Sequence, residues 1–194
     1  MIYIPTIRSM TTRSSLENLN TCTPAVFCAT LADIWEHAPW VAHGVVGQRP
    51  FATVEALHTA MVGVVAGLDE PARVAFYAGH PELAGEDARR GTMTDASVAE
   101  QGTLSLARLD ANEAEHWSAL NRAYRTRFGF PFILCIRRHT RESALHAFEQ
   151  RLAHDRATEL AITLAEISAI TRLRLDRLVS DASSTASHGE SIPS

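Results

Sequence analysis

The sequence predicts an all-α fold: one compact domain of about seven to eight helices with one short extended apolar segment. Three observations predict it. Apolar residues recur at the spacing of one buried helical face along most of the chain. Residues suited to cap a helix stand at the head of those runs, among them Thr23, Asp69, Asp110, Thr140 and Asp155. Only one compact apolar stretch, Phe130 to Ile136, lacks the helical period.

The elements follow in order. Residues 1–18 are expected to be a flexible segment, since no period is visible up to about residue 15. Thr23 followed by Pro24 opens a helix that carries Phe27, Leu31 and Ile34 on one face and runs to about His37. Pro39 starts a short helix holding Trp40, Val41 and Val45. From about Thr53, the residues Val54, Leu57, Met61, Val64 and Leu68 keep helical spacing. Asp69 and Pro71 open the next helix, which carries Val74 and Tyr77 and stops at Gly79.

A polar loop over 81–94 follows, then a helix capped by Thr94 or Asp95 that ends near Ala107. Asp110 caps a helix with Trp117, Leu120, Tyr124 and Phe128 as its buried stripe, ended by Gly129. Phe130 to Ile136, with Pro131 inside it, reads as a buried extended segment or a strand. Thr140 caps a helix bearing Leu145, Phe148 and Leu152. Asp155 caps the last and longest helix, with Leu160, Leu164, Ile167, Thr171, Leu175 and Leu178 on one side. The helical domain is thus expected over 19–179, and the small polar residues of 180–194 form a disordered tail.

Bulk composition narrows the function. The chain has 194 residues, 46% hydrophobic and 21% charged, with a formal net charge of -4. That is the size of one domain, and the acidic balance argues against a nucleic-acid partner. All 18 basic residues are arginine, so Schiff-base lysine chemistry and a P-loop lysine are excluded. The three cysteines, Cys22, Cys28 and Cys135, form no C-x-x-C pair and fit a reducing compartment. No apolar run has the length of a membrane span, and a cytoplasmic protein is expected.

Three residues stand out chemically. His80 follows the stop at Gly79; it is either an incidental polar residue or a general acid or base. Its place at a helix C-terminus favours the protonated imidazole. Ser97, Glu100, Gln101 and Leu104 share a helical face, and Leu104 turns that face inward. Glu100 then needs a partner, unless the helix is half-exposed and Glu100 is solvated. Arg174 lies seven residues after Ile167, inside the apolar stripe of the last helix. Either it snorkels at the stripe's edge, or its guanidinium points into a pocket and grips an oxygen anion. No histidine pair at i, i+4, no H-E-x-x-H and no G-x-S-x-G is present, so no metal site is expected. Cys135 reads as a small buried hydrophobe.

Several blocks, in order, resemble the OHCU decarboxylase family (2-oxo-4-hydroxy-4-carboxy-5-ureidoimidazoline decarboxylase) over roughly residues 19–179. They are Glu36-His37-Ala38-Pro39-Trp40-Val41-Ala42, Arg49-Pro50-Phe51, His80-Pro81-Glu82-Leu83-Ala84-Gly85 and Ser97-x-x-Glu100-Gln101. Then come Leu120-Asn121-x-x-Tyr124, Arg127 to Ile133, and Ile170 to Leu175. The resemblance implies an all-α homodimer that decarboxylates a ureidoimidazoline to (S)-allantoin in urate breakdown, without metal or organic cofactor. It maps the catalytic residues to His80, Glu100 and Arg174. It maps substrate contacts to Pro81, to Ser97, Val98, Ala99, Glu100 and Gln101, and to Phe132, Ile133, Leu134, Cys135 and Ile136. Glu82 replaces a more usual aspartate, and Glu86 stands where the family is often basic. Two other readings remain: a lyase or hydrolase acting on another ureido compound, and a non-catalytic helical interaction module. The second predicts solvated Glu100 and Arg174, no closed pocket beside His80 and a large exposed apolar patch.

Overall fold

The structure, a computed structural model, describes residues 13–85 and 109–181. Among these residues the chain forms eight α-helices and one two-stranded parallel contact. The helices are α1 (Leu16–Thr21), α2 (Pro24–Leu31), α3 (Trp40–Val45), α4 (Val54–Ala66), α5 (Glu70–Ala78), α6 (Ala111–Phe128), α7 (Arg141–Arg151) and α8 (Arg156–Leu178). The strands are β1 (Ser14–Ser15) and β2 (Val179–Ser180).

The caps sit where the hydroxyls and carboxylates of the sequence place them. Thr23, Thr53, Asp69, Asp110, Thr140 and Asp155 each accept a hydrogen bond from a first-turn backbone N–H. Asp110 with Glu113, and Thr140 with Ser143, close reciprocal capping boxes. Gly129 ends α6 at φ 83, a left-handed turn that a side chain would resist. Gly79 also ends its helix, but at φ -76, so it supplies no left-handed turn.

Two expectations change. The helix begun at Pro24 stops at Leu31 rather than near His37. Tighter turns take over, with Ile34 N–H donating to Leu31 O and Ala38 N–H to Trp35 O, and His37 adopts φ 50. Residues 14–18 are part of the fold: β1 pairs with β2, and Leu16 and Leu19 of α1 are buried. The sequence hid this because six residues are too few to display a helical period. The block Arg49-Pro50-Phe51 is what holds α1 in place. Arg49 donates to the carbonyls of Leu19 and Cys22, and Asn20 exchanges two hydrogen bonds with the Phe51 backbone.

The apolar run 130–136 is buried but joins no strand ladder. Its backbone polar groups are satisfied by side chains instead. Arg151 donates to Ile133 O at 2.8 Å, and Glu166 accepts from Cys135 N–H at 2.7 Å. Arg151 is itself held by Glu159, whose carboxylate is fully buried on α8. The same carboxylate oxygen accepts from Tyr124 O–H, and His154 Nδ1 lies 2.9 Å from the other oxygen. Phe132 stacks on Phe148 and lies under the Arg151 guanidinium.

Breaking one partner of such a buried pair leaves an uncompensated charge in the core. Glu159→Gln is therefore expected to lower the unfolding free energy by about 3 kcal/mol. Urea denaturation of the variant against the parent measures it; a loss within about 0.5 kcal/mol, the range of ordinary surface changes, would contradict this role for Glu159.

Candidate active site

One hollow collects residues from four parts of the chain. Its wall includes Glu36 from the turn after α2, His80 and Pro81 from the end of α5, the run Phe132 to Ile136, and Ile167, Ile170, Thr171 and Arg174 of α8. Its empty space is about 640 Å³, counted out through its open mouth. Ile167, Ile170, Thr171 and Arg174 stand at i, i+3, i+4 and i+7, so one helical stripe faces the hollow, with Leu173 beside it.

His80 is fixed by three contacts. Its backbone N–H donates to Tyr77 O, its ring packs edge-on against Phe76, and its Nδ1 lies 3.3 Å from Phe76 O. A carbonyl only accepts, so Nδ1 carries the hydrogen and Nε2 is left with its lone pair. Trp40 packs edge-on against the same Phe76, which ties the Pro39-Trp40 block to the histidine. The residue keeps some accessible surface, and it lines the hollow.

Burial pushes the His80 imidazole down to about 4; Glu36 pulls it the other way, and Arg174 adds to the lowering. The expectation of a favoured imidazolium is thus overturned. A helix C-terminus contributes about 1 kcal/mol at most in ordinary settings, and desolvation outweighs it.

The loop after His80 is built around Gly85. A Cβ there would meet Glu82 Cβ at 2.5 Å, so no larger residue fits without movement. Asn121 Nδ2 donates to Leu83 O at 2.9 Å, and Arg125 Nε meets the Glu82 carboxylate at 2.9 Å. The loop is thereby anchored on α6.

Arg174 is buried, which decides between the two sequence readings: it does not snorkel. Its Nη1 lies 2.9 Å from Glu36 Oε2, with only 2% of the Glu36 side chain exposed. Nothing in the pattern of the sequence singles out Glu36 as a partner for Arg174. Glu36 sat in a matched block, but the helix expected through His37 gave no reason to turn it inward. The helix ends at Leu31 instead, and Glu36 lies in the turns that follow, next to His37 at φ 50. Thr171 also has a buried support. It donates to Ser168 O, so its oxygen accepts from His58 Nε2 at 3.0 Å. Burial lowers the His58 pKa, consistent with a neutral ring donating there.

The structure therefore brings His80, Pro81, Arg174 and the whole run Phe132 to Ile136 to one hollow. Ser97, Val98, Ala99, Glu100 and Gln101, and the helix expected from Thr94 or Asp95 to Ala107, lie outside the described residues. Among the described residues, no group of three or more His, Cys, Asp or Glu side chains could hold a metal ion.

A helical domain wrapped around one largely apolar hollow, with a neutral imidazole and a charge-paired guanidinium in its wall, defines an all-α enzyme of small molecules. A family model described as OHCU decarboxylase matches residues 20–176, and the chain belongs to that family.

Its relatives span most of the chain. It is 35% identical over 161 residues to the 2-oxo-4-hydroxy-4-carboxy-5-ureidoimidazoline decarboxylase of Haloferax volcanii, covering 83% of this chain and 94% of that protein. It is 34% identical to the mouse protein of the same name, covering 82% and 90%. The uric acid degradation bifunctional protein PucL of Bacillus subtilis is 34% identical over 88% of this chain but only 34% of its own length. A solved structure titled (S)-allantoin synthase superposes with a TM-score of 0.68 at 25% identity, covering 85% of this chain and 54% of that one.

The His80 ring is expected to stay neutral through pH 6 and to protonate only near pH 4. Because its folded pKa lies below the unfolded value of 6.5, its contribution to folding stability is lost as pH falls from about 6.5 toward about 4. Histidine ring NMR, assigned by comparison with His80→Asn, reads the titration directly. A midpoint above pH 6 would contradict the burial argument.

Proposed function

We propose that this chain decarboxylates 2-oxo-4-hydroxy-4-carboxy-5-ureidoimidazoline and releases (S)-allantoin, with His80 as proton relay. The observation that carries this reading is the hollow itself: a neutral imidazole and the Arg174–Glu36 pair occupy one largely apolar wall. The names of the relatives supply the substrate. A non-catalytic module is disfavoured because Arg174 is buried and a pocket adjoins His80. Moreover, the only large apolar side chains exposed among the described residues are Val26 and Trp40.

The chemistry follows from the geometry. The bond from the ring carbon to the carboxylate breaks, carbon dioxide leaves, and the electron pair stays on the imidazoline. One proton must then reach carbon from one face only, which sets the chirality. A histidine whose conjugate acid has a pKa near 4 is no proton store at neutral pH. His80 Nε2 takes the proton of the substrate hydroxyl as the oxygen becomes a carbonyl and returns it to the neighbouring, ureido-bearing carbon, while the ring nitrogen that received the electron pair of the broken bond takes one proton from solvent, so that neutral allantoin leaves. The low pKa makes the transient imidazolium a strong donor. Arg174 holds the oxygen on which charge develops, and Glu36 keeps the guanidinium oriented for it.

Glu100 orients His80 or the substrate hydroxyl in this reading. Ser97 and Gln101, with backbone groups of 132–136, contact the ureido and ring amides. A homodimer, without metal or organic cofactor, in the cytoplasm completes the proposal, supported by the sequence resemblance.

Substrate generated in situ from urate should give optically active allantoin much faster with this protein than in a blank. His80→Asn should lower turnover by about 10²-fold or more with helical circular dichroism unchanged. Parent-like turnover in that variant would remove His80 from the reaction. No acceleration by the parent protein, alongside turnover of another ureido compound, would replace the substrate.

A further inference from the structure

Two arginines line the hollow, Arg137 and Arg174, and they differ in charge environment. The Arg174 guanidinium faces the buried Glu36 carboxylate at 2.9 Å. A second carboxylate brought to it would put two anions against one cation in a largely apolar wall, an arrangement penalised by desolvation. Arg137 stands on the short turn Ile136–Arg138 that follows the apolar run, and it is exposed. Lining the hollow while remaining exposed places it at the mouth. No described residue forms an ion pair with it.

The substrate of the proposed reaction is an anion: a carboxyl beside a hydroxyl-bearing carbon is ionised at neutral pH. We propose that Arg137 is the specificity residue that draws in and admits this carboxylate. The inference rests on the decarboxylase reading above. The division of labour has a catalytic logic. A buried cation clamped on the carboxylate would stabilise the ground state and oppose its loss. A guanidinium at the mouth, in water, attracts the anion on approach but holds it loosely, because its field is screened. The carboxylate can then lie against the Ile133, Leu134 and Ile170 wall while Arg174 meets the oxygen on the other side.

The test compares R137Q, R137K and R138Q with the parent, using substrate generated from urate, at about 20 mM and about 200 mM salt. Arg138 is the neighbouring exposed arginine that does not line the hollow, so R138Q controls for net charge. Expected for R137Q is a drop in kcat/KM of about 3- to 30-fold at low salt, with kcat within about twofold and a flatter salt dependence. R137K should recover most of the loss, and R138Q should lose clearly less than R137Q. Binding of neutral allantoin, followed by NMR, should be the same in R137Q and parent.

Equal behaviour of R137Q and R138Q overturns the inference. So does a loss confined to kcat, or weakened allantoin binding in R137Q. These outcomes leave the decarboxylase reading intact if the parent turns the substrate over. Absence of turnover by the parent defeats the reading and the inference with it.

Discussion

The fold depends on one buried carboxylate. Glu159 takes the charge of Arg151, accepts from Tyr124 and lies beside His154, so α6, α7, α8 and the α7–α8 turn meet at one group. Arg151 then reaches onward to Ile133 O and Thr163. This is the means by which a stretch with no strand partner stays rigid enough to be a pocket wall. An apolar run of this length would otherwise bury unsatisfied backbone groups or seek a second strand. Supplying hydrogen bonds from side chains leaves the inner face of the run available to a ligand.

The pocket repeats the device on a smaller scale. Glu36 and Arg174 are far apart in sequence and meet where α8 passes the turn after α2. Neither charge would be tolerated alone at that depth. Together they leave a polar spot in an apolar wall. Its guanidinium lines the cavity wall while paired with Glu36. A buried pair of this kind is weak evidence for stability and better evidence for positioning, since well-packed apolar residues would stabilise the core as well.

Most of the architecture was legible in the sequence because caps and apolar stripes are local signals. Asp69, Asp110, Thr140 and Asp155 announce their helices within three residues of the bonds they make. Arg174 was legible as an anomaly, since a charge inside an apolar stripe demands a partner. The partner was not legible, because Glu36 lies in irregular turns after Leu31, beside the left-handed His37, that no periodicity reveals. The same holds for Glu159 and Arg151. Each looked like an ordinary charged helix residue, and only the packing of three helices shows that they face one another.

The sign of the His80 charge is the instructive failure. Position alone assigned it to a helix end, where partial negative charge favours imidazolium by less than one pKa unit in exposed settings. Burial acts more strongly on the same group, pushing it down to about 4, and Arg174 reinforces it. Sequence gives the first effect and conceals the second, because burial is a property of what packs around the loop. The consequence reaches the chemistry. In the proposed reaction, a group that rests neutral donates only a proton it has just accepted, which would put both transfers at the same nitrogen within one substrate complex. Nδ1 is occupied by Phe76 O, which leaves Nε2 to perform both. A single nitrogen on a ring held by Phe76 and the α5 terminus would reach a bound substrate from one side, and the single face of protonation required by the proposed reaction would follow from that restriction.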